Sequence, residues 1–182
     1  MTDEVLISAD DFVGLRELGN VDFDRVVRPA VLKAQRGKLV DLLGNSFYLA
    51  IWQAPEDYEL LLNGGIYTNQ KGQMAQLYGA KKAICLWAYA TLIYSHDFRL
   101  TRAGNKVKIR PDVSETAPDD MTKKEVGLAN GEAQMYARNL VEYLNDQRAA
   151  HPYPLWQGSD NETSPGPFRA GIATQNPLPR QF

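Results

Sequence analysis

Cysteine and histidine are nearly absent from this chain: Cys85, His96 and His151 are the only ones among 182 residues. A single cysteine cannot close an internal disulfide, which predicts folding in a reducing cytoplasm. Protein zinc sites draw on closely spaced Cys and His side chains, and none is present here, so no metal is expected. Cys85 lies between Ile84 and Leu86-Trp87, and it reads as a packed thiol rather than a nucleophile. Long apolar runs are also missing. The longest candidate, Ala83 to Tyr94, falls short of the roughly 18 residues that span a bilayer, and it reads as a buried helix. The acidic start (Asp3, Glu4, Asp10, Asp11) is the opposite of a secretory leader.

The motifs of common chemistries are lacking as well. Gly64-Gly65 follows a predicted helix rather than a strand, and no Gly-Lys-Ser/Thr element cradles a phosphate. No serine sits between the flanking glycines of a nucleophile elbow. The paired acids Asp10-Asp11 and Asp119-Asp120 fall where helices start, and capping accounts for them. The reading is therefore a protein without catalytic, cofactor or metal sites. A formal net charge of −2 gives no global attraction to nucleic acid or membrane.

Helical punctuation is plentiful. Ser8 predicts a cap for a short helix reaching Leu18, stopped by Gly19-Asn20. Asp22 or Asp24 opens a second helix that runs to Leu43, with Gly44 as its cap. Pro29 falls near its first turn, or kinks it if the helix begins well before Val26. Asn45 begins a further turn or two, and Pro55 a short helix that stops at Asn63-Gly64-Gly65. Residues 66–73 read as a loop, and Met74 to Ser95 as the central helix, apolar nearly all round. From Phe98 to Arg110 the period changes to alternation around Ala103-Gly104-Asn105, which predicts a β-hairpin. A long helix follows from about Asp120 to Arg148. Its seam is Leu128, Ala129, Ala133, Tyr136, Leu140 and Tyr143, and Gly127 and Gly131 mark a place for close helix contact.

The expected fold is therefore mainly α: a bundle of about four to six helices over residues 1–150, with one small β-hairpin near 98–110. Residues 151–182 differ. They hold six of the ten prolines, which deny helix and sheet interior, yet they intersperse Tyr153, Leu155, Trp156, Phe168, Ile172, Leu178 and Phe182. A solvated tail is poor in such residues. An extended C-terminal arm that docks on a neighbour is the better reading.

Charge is unevenly placed. The first 24 residues carry seven acids and one base, whereas Lys81 to Arg110 carry seven bases and one acid. The two segments can attract each other within one chain or between subunits. A basic hairpin touching nucleic acid is the weaker third option, because few aromatics accompany it.

The order of segments also carries a resemblance. Arg28-Pro-Ala-Val-Leu-Lys-Ala-Gln35, Leu39-Val-Asp-Leu-Leu-Gly44 and Tyr58-Glu-Leu-Leu-Leu-Asn-Gly64 come first. Leu77-Tyr-Gly-Ala-Lys-Lys-Ala-Ile84, Tyr89-Ala-Thr-Leu-Ile-Tyr94, Thr101-Arg-Ala-Gly-Asn105 and Tyr143-Leu-Asn-Asp146 follow. Over about residues 5–148 this pattern resembles the head–tail connector (adaptor, or head-completion) proteins of tailed bacteriophages. The resemblance implies a helical bundle assembled as a closed ring of about twelve copies under the portal. Such a ring extends the DNA channel, passes DNA without reading its sequence, and offers a platform to the next neck or tail protein. It places the chain in the virion neck, made in the bacterial host cytoplasm. It also implies that Trp156, Phe168, Leu178 and Phe182 anchor the arm to the portal or a ring neighbour. The hairpin tip (Arg102, Gly104, Asn105, Lys106) then meets the next ring or lines the lumen. For Trp156 the competing expectation is that it folds back onto its own body. The rival functions are a small helical adaptor that binds one partner through its arm without forming a ring, and an enzyme with a cryptic site.

Overall fold

Glycine and proline divide the chain into its elements. The structure, a computed structural model, describes residues 5–16, 18, 21–94, 119–148, 153–156 and 158; of 119–122 it describes the helical backbone alone. Helix α1 occupies 23–43, α2 Asn45–Gln53, and α3 55–63, which opens with a 3-10 turn at Pro55–Tyr58. Strands β1 (Gly65–Thr68) and β2 (Met74–Leu77) follow, then α4 (Ala80–Tyr94) and the long α5 (Asp119–Gln147). Over the described residues the fold is mainly helical with one small antiparallel hairpin.

The hairpin stands where a loop and the start of a helix are expected. Residues 65–68 pair with 74–77 in the register Gly65↔Leu77, Ile66↔Gln76, Tyr67↔Ala75 and Thr68↔Met74. Asn69 builds the turn, its Oδ1 accepting from the N–H groups of Lys71 (3.0 Å) and Gln73 (2.9 Å). Gly79 explains why the central helix begins at Ala80 and not at Met74. Its φ is +90°, and an added Cβ would lie 2.6 Å from the backbone of Asn63 and Gly64. Gly64 meets the chain from the other side, with φ +82° and a Cβ position 2.5 Å from the carbonyl oxygen of Leu77. Two glycines thus let the entry and exit of the hairpin touch, which residues with side chains would prevent. The hairpin expected near 98–110 lies outside the described residues, as does His96.

The N-terminal segment is also shorter in helix than its capping residues suggest. Among its described residues only a 3-10 turn forms, Asp10–Phe12, followed by Gly14 at φ +81°. Asp11 accepts from the N–H and hydroxyl of Ser8 (2.7 and 3.1 Å). α1 starts under Asp22, whose side chain accepts from the N–H of Arg25 (3.1 Å), and it stops at Gly44 as expected. Its first turn, Phe23–Val27, has the wide π spacing, and Pro29 follows one residue later, after Arg28. Proline supplies no N–H to the ladder, so a widened turn accommodates it where a kink was the alternative. A second π turn, Gln35–Leu39, brings Gln35 wholly inside, where its Oε1 accepts from the N–H of Leu6 (2.9 Å).

α4 is the centre of the core. Ala80, every residue from Ala83 to Ala90, and Leu92 are buried, as expected of a helix apolar on all sides. α5 lies along it through Ala129, Ala133, Ala137, Leu140 and Leu144, all buried. Small residues at this spacing let the two axes approach closely. Of the expected seam, Ala129, Ala133, Leu140 and Tyr143 are buried, whereas Leu128 is 56% exposed. Neither Gly127 nor Gly131 has an atom within 4 Å of its Cβ position among the described residues, so neither marks a helix contact there.

Candidate partner interface at the root of the C-terminal arm

The last turns of α5 organise two things at once, the hairpin and the start of the C-terminal segment. On the hairpin side, the Asn139 side chain accepts from the N–H of Tyr78 (3.0 Å) and donates to the carbonyl of Gln76 (3.0 Å). Gln147 donates to the carbonyl of Thr68 (3.3 Å), and the Asp146 carboxylate accepts from the N–H of Gln70 (3.1 Å). The Gln70 side chain donates to the Asp146 carbonyl. A two-stranded hairpin is marginal in isolation, and these bonds fix it to a long helix.

On the other side lies an aromatic cradle. Phe47 of α2, Tyr58 of α3 and Tyr143 of α5 receive Tyr153 and Trp156. Tyr153 stacks on Tyr58 at 5.9 Å and tilts against Phe47 at 5.8 Å. The Tyr143 and Tyr153 hydroxyls are hydrogen-bonded at 3.0 Å. Trp156 lies 6.2 Å from Phe47, and its Nε1 donates to Asn145 Oδ1 at 3.2 Å. Tyr143 also meets Tyr67 of β1 edge-on at 4.7 Å, so one side chain joins hairpin and cradle. Burial, followed by the hydrogen bond with Tyr153, pushes the Tyr143 hydroxyl well above the ordinary tyrosine range. It stays protonated and holds the bond.

Trp156 is 6% exposed. The indole is therefore part of the body, and the expectation of a free anchor is corrected in favour of folding back. The physical reason is that the cradle offers the Phe47 ring and, in Asn145 Oδ1, an acceptor for the indole N–H, a pairing buried Trp requires. The arm therefore departs beyond Trp156, near Gly158, which rests against the guanidinium of Arg148. Phe168, Leu178 and Phe182 of the arm, and Arg102, Gly104, Asn105 and Lys106 of the expected hairpin tip, lie outside the described residues. The sequence reading missed Tyr58, Tyr143, Asn145 and the 65–77 hairpin. The hairpin had a signal in the alternation of Ile66-Tyr-Thr and Met74-Ala-Gln-Leu about an Asn–Gly turn. The cradle had none, because its members are far apart in sequence.

A polar cluster sits elsewhere, between the N-terminal segment and α4–α5. Arg16 pairs with Glu132 (2.9 Å) and Glu125 (3.6 Å) and lies over the Tyr89 ring at 5.7 Å. Lys81 pairs with Asp11 at 3.4 Å, so part of the acidic start does meet part of the basic segment within one chain. Cys85 is buried there, its Sγ donating to the Asp11 carbonyl at 3.4 Å, and burial drives its pKa far up. A thiol held protonated is a packing group. Each charged group here faces an opposite one, which makes the cluster a clamp on the N-terminal segment. A cavity of about 190 Å³ between α1, α4 and α5 is lined by Lys33, Lys38, Asp41, Trp87, Thr91 and Asn130. Thr91, its one hydroxyl, donates to the Trp87 carbonyl (2.9 Å). Among the described residues no group of three or more His, Cys, Asp or Glu is placed to hold a metal ion, and no helix is long and apolar enough to cross a membrane.

Comparison with known proteins adds the family. No curated protein and no solved structure matches the chain. The model described as "Family of unknown function (DUF6712)" matches residues 39–166, from within α1 through the hairpin, α4, α5 and the arm root. That match covers well over half of the sequence, and the chain belongs to the DUF6712 family.

Proposed function

We propose that this protein is a structural component of a tailed-phage neck, forming a ring of about twelve copies between portal and tail. In that role it extends the DNA channel, passes DNA without sequence-specific contacts and gives the tail or next neck protein a platform. The observation that carries the reading is the fixed root of the arm. Tyr153 and Trp156 are locked into the body by rings and hydrogen bonds, so everything beyond Gly158 leaves from one defined point. An arm rooted in this way tethers Phe168, Leu178 and Phe182 to the body, which raises their effective concentration at a neighbour or portal within reach. The resemblance of residues 5–148 to head–tail connectors supplies the ring.

A second reading, a small adaptor that binds one partner without a ring, is favoured by the closed core, which a single chain buries. Electron microscopy of the purified chain mixed with purified portal separates the two. Closed rings stacked coaxially on the portal support the neck reading. Single copies bound per partner, with no ring at saturating protein, would support the adaptor instead.

A further inference from the structure

We propose that residues 5–16 form a strap that opens as a unit from a body that stays folded, a gate over the Cys85 thiol and the Gln35 amide. Nothing in this depends on the neck reading. Among the described residues two buried side-chain nitrogens lack a hydrogen-bond partner, Gln35 Nε2 and Arg16 Nε. Both lie at the seam between strap and body. At one end, Gln35 Oε1 accepts from the N–H of Leu6, while Nε2 of the same amide has no acceptor. At the other end, Arg16 reaches Glu132 through Nη2 at 2.9 Å, but its Nε stands 3.6 Å from Glu125 Oε1, beyond hydrogen-bond reach. A buried donor without an acceptor carries its full desolvation penalty. Release of the strap returns both donors to water.

The other attachments are weak in kind. Among the described residues no backbone–backbone hydrogen bond joins the strap to the body. Its backbone meets the body through two side chains, Gln35 at Leu6 and Cys85, whose Sγ donates to the Asp11 carbonyl. The pairs of Lys81 with Asp11 and of Arg16 with its two glutamates are partly exposed, and such pairs contribute little. What holds the strap is apolar: Ile7 and Phe12 are 3% and 2% exposed. Two buried side chains stand against two unsatisfied donors and the ordering of a segment that no ladder supports. The strap therefore opens at a lower free energy than the helical body. α4 keeps its cover meanwhile, because Ala129, Ala133, Leu140 and Leu144 pack on it from α5. Opening bares Cys85 and frees the charges of Lys81 and Asp11 for groups on another chain.

Cys85 is the one thiol of the chain and is 1% exposed, so an aromatic disulfide reagent in water reaches it only after an opening. In the unmodified full-length chain, its labelling rate in low urea should rise with less than about half the slope of global unfolding, because only the strap is exposed. A slope equal to the global one would overturn the proposal without any variant. Two substitutions then locate the opening. Arg16→Gln should speed Cys85 labelling and exchange of the Leu6 amide by the same factor, at least about fivefold. Trp156→Ala weakens the body at the distant cradle. It should speed exchange of the α4 amides by about thirtyfold or more and leave Cys85 labelling within about twofold of the parent. Cys85 labelling that follows the α4 amides in Trp156→Ala, or that Arg16→Gln leaves unchanged, would overturn the strap.

Discussion

Replacing Trp156 by alanine separates an arm that is rooted in the body from one that merely trails from it. The indole is almost wholly buried against Phe47 and hydrogen-bonded to Asn145. Truncating a buried Trp costs about 3–5 kcal/mol in a core. Here the ceiling is the docking free energy of the short segment around Tyr153 and Trp156, because detachment relieves any further strain. The expected loss is therefore about 2–4 kcal/mol, below the full core value of the same substitution. In a chain of this size that lowers Tm by roughly 6–12 °C. Asn145→Ala removes only the acceptor of the indole N–H and should cost about 0.5–1.5 kcal/mol. Urea unfolding followed by far-ultraviolet circular dichroism measures both, with Trp52 and Trp87 left unchanged. A Trp156→Ala change within about 0.5 kcal/mol of the parent, the size of an ordinary surface substitution, would refute the rooted arm.

Other substitutions test the fold around it. Gly79→Ala forces a side chain into a φ of +90° and against the Asn63–Gly64 backbone, so unfolding experiments should show a loss of about 2–5 kcal/mol. Gly131→Ala meets open space in a helix and should stabilise the isolated chain by about 0.5–1 kcal/mol. A destabilised Gly131→Ala monomer would reveal a contact that the described residues do not make. Tyr143 is held above its ordinary range by burial first and its bond to Tyr153 second. Tyr89 is raised by burial and then by the charge of Glu125. A folded pKa above the unfolded value of about 10 means that this stabilisation is complete below pH 10 and lost as pH rises beyond it. Stability measured against pH should fall on that alkaline limb, and Tyr143→Phe should flatten it.

The parts of the fold that follow from local chemistry could be read from the sequence. Asp22, Gly44, Pro55 and Gly64 bound α1, α2 and α3 because caps and breakers act within a few residues. The central place of α4 followed from its apolar circumference. The hairpin was misread because Asn69 and Gly72 break helix and shape a turn equally well. What decides between them is the mutual approach of Gly64 and Gly79, a contact between distant segments. Leu128 was misplaced in the seam because its size outweighs its neighbour in a periodicity reading, whereas packing against α4 takes the small Ala129 and leaves Leu128 exposed. The arm was legible as proline-rich with apolar residues, but its root was not. Tyr153 and Trp156 belong to a cradle made by α2, α3 and α5, and no spacing rule links Phe47 to Trp156.

The proposed role of the arm in a phage neck is tested most directly by co-sedimentation with portal-containing, tail-less capsids. The comparison is between the full-length chain and a truncation ending at Gly158, which keeps Tyr153 and Trp156 in their cradle. The account predicts that the full-length protein pellets with the capsids and that the truncated one stays in the supernatant. Equal binding by both would move the portal contact onto the body, and no binding by either would contradict the neck function itself.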